Sequence, residues 1–214
     1  MTAEHPLAPW LRLTLTPGLG PERQRQLLAA FGPPEQIFEA SPGALAAVAG
    51  EAAAKRVGEH DASAAVALAL EWLSQPGNHI VTLGDPDYPP ALLEIPDPPV
   101  LLYVKGNPAL PGRRGIAVVG ARSATPQGET NAEAFATSLS AAGIPIVSGL
   151  ALGIDAAAHR GGLAGPGSTV AVIGTGIDRI YPARNEALAR RIAEQGAIVS
   201  EFPLGTEIGR ASCR

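Results

Sequence analysis

The chain has 214 residues, of which 46% are hydrophobic and 17% are charged, and its formal net charge at pH 7 is −4. This composition is typical of a soluble globular protein with one large domain or two small ones. No apolar run is long enough for a membrane span, and the first residues lack a signal-peptide pattern, so we expect a cytoplasmic protein without membrane attachment. A single cysteine, Cys213, argues against a disulfide framework and against a cysteine-based metal or catalytic centre.

Charge is unevenly distributed along the chain. Residues 1–100 carry 5 basic and 12 acidic side chains, a net of −7, whereas residues 101–195 carry 9 basic and 6 acidic ones, a net of +3. The mildly basic middle region indicates either a local site for an anion, such as phosphate or nucleic acid, or only an uneven surface charge. Charge alone leaves both interpretations open.

Residues 1–78 predict a small all-helical domain. Pro21 follows a PGLG turn at a favourable first helical position, Ser41-Pro42 has the pattern of an N-cap followed by a proline, and Asp61 is a candidate cap for a further helix. Two helices around a Gly-rich turn resemble a helix-hairpin-helix or sterile-alpha-motif unit, whose turn can bind a DNA phosphate. Because this half of the chain is acidic, we favour a helical bundle whose turn binds no ligand.

Residues 79–206 have a different pattern, in which apolar runs alternate with helical segments. The runs lie at residues 79–83, 100–105, 116–119, 144–147, 169–173 and 197–199. Thr125 and Asn185 are placed to cap the helices that follow them. Strands that alternate with helices predict an α/β domain with a Rossmann-like, doubly wound parallel sheet.

Four loops are predicted to meet at the carboxyl edge of this sheet, where open α/β folds bind ligands. They begin at Gly120, Ser148, Gly174 and Ser200. Three of them consist largely of Gly, Ser and Thr just before a helix, where the backbone can approach an anion and the helix N-terminus offers free N–H groups. Arg122 in the first loop adds a forked donor that suits phosphate. The loops therefore predict an anion site that needs no catalytic group.

Common enzyme signatures are absent from the sequence. Neither G-x-G-x-x-G nor G-x-x-x-x-G-K-[ST] occurs, and Ser148 does not stand in a G-x-S-x-G elbow. Asp155 and His159 are spaced i,i+4, which suits a metal pair or an acid–base pair but more often a local hydrogen bond that fixes the start of a helix. We favour the hydrogen bond, and we expect no metal, no cofactor and no catalysis.

Five segments together resemble the DNA-processing protein A family (DprA/Smf). They are YPPALLEIPDPPVLLYVKGN from Tyr88, VVGARSATPQG from Val118, IVSGLALGIDAAAHRGGL from Ile146, VIGTGIDRIYPARN from Val172 and GAIVSEFPLGT from Gly196. The resemblance implies a Rossmann-like domain that binds single-stranded DNA and is not a catalyst. It further implies a recombination mediator in natural transformation, which loads the RecA recombinase onto single strands and is a homodimer at full length.

The resemblance also implies which residues bind the DNA phosphate. Arg122 is expected to clamp it, whereas Asp155 and His159 are expected to be mainly architectural. The whole predicted set is Gly120, Arg122, Ser123, Thr125, Ser148, Gly149, Asp155, His159, Thr175, Gly176, Tyr181, Arg184 and Asn185. One pocket gives little affinity, so tight binding is expected to need several phosphate contacts and more than one protomer.

The C-terminal end departs from the family pattern, and we expect a C-terminally truncated member. The family continues past SEFPLGT with further strands and helices, whereas this chain continues with EIGRASCR at residues 207–214. Those eight residues resemble the translation of a sequencing adapter, and we hypothesise that they are a non-native tail. Resequencing the locus tests this hypothesis, because a continuous genomic reading through these codons contradicts it.

Two other functions stay open beside a DNA-binding mediator. A nucleotide-binding enzyme of the phosphoribohydrolase type has a similar sheet and similar Gly-rich loops, but its P-G-G-x-G-T-x-x-E segment is missing around Gly174-Thr175-Gly176. An acidic helical half beside a basic α/β half also suits a module that binds a protein partner. A salt titration of DNA binding separates the first function from the other two, because phosphate contacts give a steep salt dependence.

Overall fold

A computed structural model describes residues 5–207, so residues 208–214 of the hypothesised tail lie outside the described residues. The chain divides into two compact units. One comprises Met1–Gln75 and Pro90–Leu101, and the other comprises Pro76–Pro89 and Leu102–Arg214. The first unit is helical and the second is an α/β unit. The assignment of domains to residues 1–78 and 79–206 stays a prediction.

Helices with defined starts make up the helical unit. Its described residues form α1 (Ala8–Leu15), α2 (Pro21–Phe31), α3 (Pro34–Glu39), α4 (Pro42–Ala49), α5 (Glu51–Glu59) and α6 (Ser63–Leu73). The hydroxyl of Ser41 accepts a hydrogen bond from the Ala44 N–H at 3.3 Å, which confirms the predicted cap. Asp61 accepts from the Ser63 N–H at 2.9 Å, but the N-cap position itself is Ala62, one residue later than the prediction.

The core of the helical unit is aliphatic. Leu13, Leu27 and Ile37 are fully buried and pack in one cluster with side chains of α4 and α5. On α2, the guanidinium of Arg25 donates to the Asp97 carboxylate at 2.6 Å and to the Pro98 carbonyl at 2.8 Å. These bonds fix the Pro-rich segment to α2, which explains why Pro90–Leu101 belongs to the helical unit.

The sheet is mostly parallel. In the described residues its strands are β1 (Asn78–Thr82), β2 (Leu101–Gly106), β3 (Ile116–Ala117), β4 (Ile146–Ser148), β5 (Thr169–Val172) and β6 (Ala197–Ser200). Their order is β1-β2-β6-β5-β4-β3, in which β3 to β6 are parallel and β2 is antiparallel to β6. The predicted α/β fold class is confirmed. The antiparallel β2 was not predicted, because an apolar run does not report the direction of a strand.

Three helices connect the parallel strands, namely α7 (Pro126–Ala141), α8 (Ile154–Gly162) and α9 (Glu186–Gln195). α7 and α8 pack closely because Gly161 has no Cβ, and an added one would lie 2.7 Å from the Cβ of Ala136. Ala136, Ile146 and Ala158 form a buried cluster that joins both helices to β4. Within residues 5–207 no helix, including the 16-residue α7, is long and apolar enough to span a membrane.

One face of the sheet exposes apolar side chains. The strand register places Ala117, Val147 and Val172 on the face opposite to Ile146. Val172 is 51% exposed, and Val119, which follows β3, is 75% exposed. Exposed apolar patches of this kind favour contact with other protein surfaces.

Candidate functional site

The loops after the parallel strands lie side by side at the carboxyl edge of the sheet. We call residues 118–125 loop 1, residues 149–153 loop 2, residues 173–185 loop 3 and residues 201–206 loop 4. Hydrogen bonds join neighbouring loops. The Ile154 N–H, which directly follows loop 2, donates to the Ala121 carbonyl of loop 1 at 3.3 Å, and Asn185 Nδ2 of loop 3 donates to the Leu150 carbonyl of loop 2 at 2.8 Å. The Gly176 N–H of loop 3 donates to the Thr206 carbonyl of loop 4 at 2.9 Å. The four loops therefore form one continuous edge, as their positions after parallel strands predict.

Loop 1 presents a row of unpaired backbone donors. Within the described residues, none of the amide N–H groups of residues 120–124 donates to a protein acceptor. Residues 120–123 are exposed, so these donors are accessible. Successive free N–H groups ahead of a helix N-terminus favour binding of an anion.

The N-terminus of α7 adds to this donor row. Thr125 occupies the N-cap, and its Oγ1 accepts from the Gly128 N–H at 3.1 Å, which confirms the predicted cap. The Thr125 hydroxyl proton is not used in that bond and is left for another acceptor. The aligned peptide dipoles of α7 place a partial positive charge at the same point.

Arg122 is the cation of loop 1. Its side chain is exposed and makes no ion pair or hydrogen bond with any described residue. Arg160, by contrast, is held by Glu133 at 2.8 Å and by Glu129 at 3.4 Å. Arg122 is therefore available to a ligand, whereas Arg160 is already neutralised by two carboxylates.

Loop 2 differs from loop 1, because side chains pair with two of its backbone N–H groups and two of its carbonyls. Asp155 Oδ2 accepts from the N–H groups of Gly149 and Ala151, each at 3.2 Å. Asn185 Nδ2 donates to the carbonyls of Leu150 (2.8 Å) and Ala151 (3.0 Å). Asn185 does stand at the N-cap of α9, as predicted, but its side chain makes no cap bond there and reaches loop 2 instead.

The expected hydrogen bond between Asp155 and His159 is wrong. Asp155 pairs with loop 2, and His159 Nδ1 lies 2.7 Å from Thr169 Oγ1 on β5. His159 is fully buried, and this burial lowers its pKa to about 4. It therefore stabilises the packing of α8 on the sheet as a neutral group and does not reach a phosphate at the edge.

The other predicted site residues divide into buried and exposed groups. Ser148 Oγ donates to the Val118 carbonyl and Thr175 Oγ1 to the Arg179 carbonyl, at 2.6 and 2.7 Å. Ser148, Thr175 and Gly176 are buried and hold the loops together. Exposed at the edge are Gly120, Arg122, Ser123, Thr125, Gly149, Tyr181 and Arg184. A role of these exposed residues in binding stays a prediction.

Gly153 is important for the site and was not recognised from the sequence. Its φ is +74°, and an added Cβ would lie 2.7 Å from the Arg122 carbonyl oxygen. This glycine lets the start of α8 approach the backbone of loop 1, and any other residue there would push loop 1 away. A glycine immediately before a predicted helix is the signal that points to it.

Comparison with known proteins assigns the family. Residues 79–213 match the family model described as DNA recombination-mediator protein A. The chain belongs to this family. Protein Smf of Synechocystis sp. is 37% identical over 212 residues, which cover 95% of this chain and 52% of that protein. This member of the DNA recombination-mediator protein A family thus spans about half the length of that curated relative, and the predicted family is confirmed.

Solved structures agree with this assignment. The X-ray structure of DNA processing protein A from Streptococcus pneumoniae superposes with a TM-score of 0.77 at 33% identity, covering 94% of this chain and 69% of that one. DNA processing protein A from Helicobacter pylori, described by its single-stranded DNA binding mode, has a TM-score of 0.54 at 32% identity, covering 60% and 58%. Both likenesses extend the family match to the fold.

Proposed function

We propose that this chain binds single-stranded DNA through its phosphates at loop 1, as part of a recombination mediator and without catalysis. The observation that carries the proposal is the accessible row of unpaired N–H groups at residues 120–124, beside the unpaired Arg122. The loops alone leave open whether the anion is DNA or a free nucleotide. Membership of a DNA recombination-mediator family, and the single-stranded DNA binding described for the Helicobacter pylori relative, support DNA.

Binding through backbone donors suits DNA of any sequence. Contacts to phosphate position a strand without reading its bases. On loop 3, Tyr181 is 51% exposed and Arg184 is also exposed, and we propose that they extend the site with a stacking surface and a second cation. A strand held in this way keeps its base edges free for pairing with another strand.

Polar side chains at the edge support binding rather than catalysis. Ser148 and Thr175 are buried and donate to backbone carbonyls, and Asp155 accepts from two backbone amides. Each of these groups thus holds the loops in place. Nothing in the comparisons favours the alternative of a phosphoribohydrolase.

A binding assay tests the role of loop 1. Fluorescence anisotropy with labelled oligo-dT compares the parent chain with Arg122→Ala and with Arg191→Ala, a control that removes an exposed arginine from the second half of α9. Losing one charged phosphate contact is expected to weaken binding about tenfold or more. It is also expected to lower the slope of log K against log salt by about 0.7, the value for one contact on a single strand. Equal effects of the two substitutions contradict the proposal.

We further propose that the full-length protein works as a homodimer and passes the strand to a RecA recombinase. The recombination-mediator description of the family supports this step, as does a site that leaves the bases exposed. Light scattering on the full-length protein measures its mass. A strand-exchange assay, with single strands already covered by single-strand-binding protein, measures whether it accelerates RecA. A monomer, or an unchanged RecA lag, refutes the corresponding part.

A further inference from the structure

We propose that Asn185 positions Tyr181 and Arg184 for DNA by fastening the end of loop 3 to loop 2. This inference rests on the proposed function, because it assigns a role within the same site. Asn185 acts through its two neighbours in loop 3 and not on the DNA itself, so it is a positioning residue.

Loop 2 is a fixed support at this edge of the sheet. Leu150 is fully buried although its φ is +64°, a backbone conformation that is unfavourable for a residue with a Cβ and persists only where its surroundings hold it. The Asp155 carboxylate accepts from the N–H groups of Gly149 and Ala151, on either side of Leu150, at 3.2 Å each. A buried anchor between two paired amides gives loop 2 a defined conformation to which another loop can be fastened.

Asn185 joins loop 3 to this support. It is only 7% exposed, and its Nδ2, which has two protons, donates to the carbonyls of Leu150 at 2.8 Å and Ala151 at 3.0 Å. Among the residues that the structure describes, these are the only hydrogen bonds between loop 2 and loop 3. The earlier part of loop 3 is held by loop 4, through the bond from the Gly176 N–H to the Thr206 carbonyl. The end of loop 3 therefore depends on Asn185 for its attachment to loop 2.

The two exposed side chains of loop 3 lie close to this attachment. Arg184 directly precedes Asn185, so their Cα atoms are about 3.8 Å apart, and Tyr181 comes three residues before Arg184. The guanidinium of Arg184 makes no hydrogen bond or ion pair with any described residue, so only its backbone sets its place. Loop 2 is in turn joined to loop 1 by the bond from the Ile154 N–H to the Ala121 carbonyl. Asn185 therefore sets where this cation and this ring stand relative to loop 1.

This role predicts that two kinds of ligand respond differently to the loss of Asn185. A phosphate bound at residues 120–124 needs only loop 1, whereas a strand that reaches loop 3 also gains from Tyr181 and Arg184. Asn185→Leu is similar in shape but removes both donors, so it is expected to weaken binding of oligo-dT about tenfold, the loss of one charged contact. Binding of inorganic phosphate at loop 1 is expected to stay unchanged. A residue that only stabilises the fold predicts no such difference.

The first experiment measures binding of oligo-dT by fluorescence anisotropy for the parent, Asn185→Leu, Asn185→Ala and Ser140→Ala. Asn185→Ala leaves room for water at the two freed carbonyls and so serves if the leucine variant does not fold. Ser140 is the matched control, because its buried Oγ donates to the Gly162 carbonyl at 2.6 Å but lies near the C-terminal end of α7, at the opposite edge of the sheet. We expect both Asn185 variants to lose affinity and Ser140→Ala to keep it.

Double substitutions separate positioning from a loss of stability. Once the end of loop 3 is released, adding Arg184→Ala to Asn185→Ala is expected to cost little more, whereas adding Arg122→Ala keeps its full effect. Additive losses for Arg184 and Asn185 overturn the proposal, as does unchanged oligo-dT binding by an Asn185 variant that keeps the parent's melting temperature. Weaker binding of inorganic phosphate at residues 120–124 in that variant, followed by NMR, also overturns it.

A second experiment uses the parent alone and contains no DNA. NMR on the ¹⁵N-labelled chain compares how fast the side-chain NH₂ groups of Asn185 and of the exposed Asn107 exchange with water. We expect slower exchange at Asn185, because both of its protons are buried and hydrogen bonded; equal exchange at the two residues overturns the proposal. A chain with a protected Asn185 that binds inorganic phosphate at residues 120–124 but no oligo-dT refutes the DNA function and leaves the attachment of loop 3 by Asn185 standing.

Discussion

Acidification is expected to destabilise the α/β unit through His159. Thr169 donates its single hydroxyl proton to the Ile146 carbonyl at 2.8 Å, so toward His159 it can only accept. Nδ1 of His159 therefore carries the imidazole proton, and Nε2 is a bare acceptor. Nε2 is buried and has no hydrogen-bond partner in the part of the chain that the structure describes. Protonation would place an unsolvated positive charge inside the fold.

The size of this effect follows from the pKa of His159. Burial lowers this pKa from 6.5 to about 4, so between these values the unfolded chain binds a proton that the folded chain does not. Stability from this group is fully present above pH 6.5 and is lost as the pH falls toward 4. Linkage converts the shift into a loss of about 3 kcal/mol in the free energy of unfolding between pH 7 and pH 4.

His159→Asn is the variant that isolates the titration, because its amide can replace Nδ1 as the donor and does not ionise. Trp10 and Trp72 both lie in the helical unit, so tryptophan fluorescence does not report on the α/β unit. Hydrogen exchange of peptides from β4 and β5, corrected for the intrinsic rate at each pH, gives the required stability. The parent is expected to lose about 3 kcal/mol more than the variant between pH 7 and pH 4. Parallel pH dependences refute the reasoning.

Three further predictions concern the edge of the sheet and the face that exposes Val172. Gly153→Ala is expected to lower the free energy of unfolding by about 2 kcal/mol, because residue 153 has a positive φ and an added Cβ would contact loop 1. Gly174→Ala is the control, because nothing lies within 4 Å of its added Cβ, and it is expected to leave the free energy of unfolding unchanged. Urea titration measures both. Thr125→Ala is expected to lower the free energy of unfolding by about 1 kcal/mol, because it removes the cap of α7. Thr125→Ser keeps a hydroxyl at the cap and is expected to retain most of that stability in the same titration. Val119→Lys places a charge on the sheet face that exposes Val172 and is expected to reduce self-association, measured as the concentration dependence of the sedimentation coefficient. An unchanged concentration dependence contradicts a role of this face in self-association.

Features that depend on neighbouring residues were predicted from the sequence. Ser41 and Thr125 cap their helices as expected, because a cap bond reaches only three residues along the chain. The strands and the family followed from apolar runs and loop motifs, which are also local. β3 is shorter than its apolar run, since only Ile116–Ala117 has strand geometry. The run predicts where an edge strand lies but not where its pairing stops.

Long-range partners were not predicted. Asn185 bonds to Leu150, and His159 on α8 bonds to Thr169 on β5, so spacing along the chain says nothing about either pair. The i,i+4 spacing suggested that Asp155 and His159 face each other, but each found a better partner outside α8. For the same reason, the sequence could not show that Asp155 and Asn185 hold the backbone of loop 2.

The strand order has a consequence for synthesis on the ribosome. β6 lies between β2 and β5, although it is the last of the six strands described within residues 5–207, and Gly106 pairs with Ala197. β1 and β2 are translated early, but β6, the second neighbour of β2, is translated only after all three connecting helices. Until Ala197 leaves the exit tunnel, β2 and β5 both present unpaired edges that can recruit strands of other nascent chains. A translational stall shortly before β6 would therefore prolong the time for which these two edges are exposed.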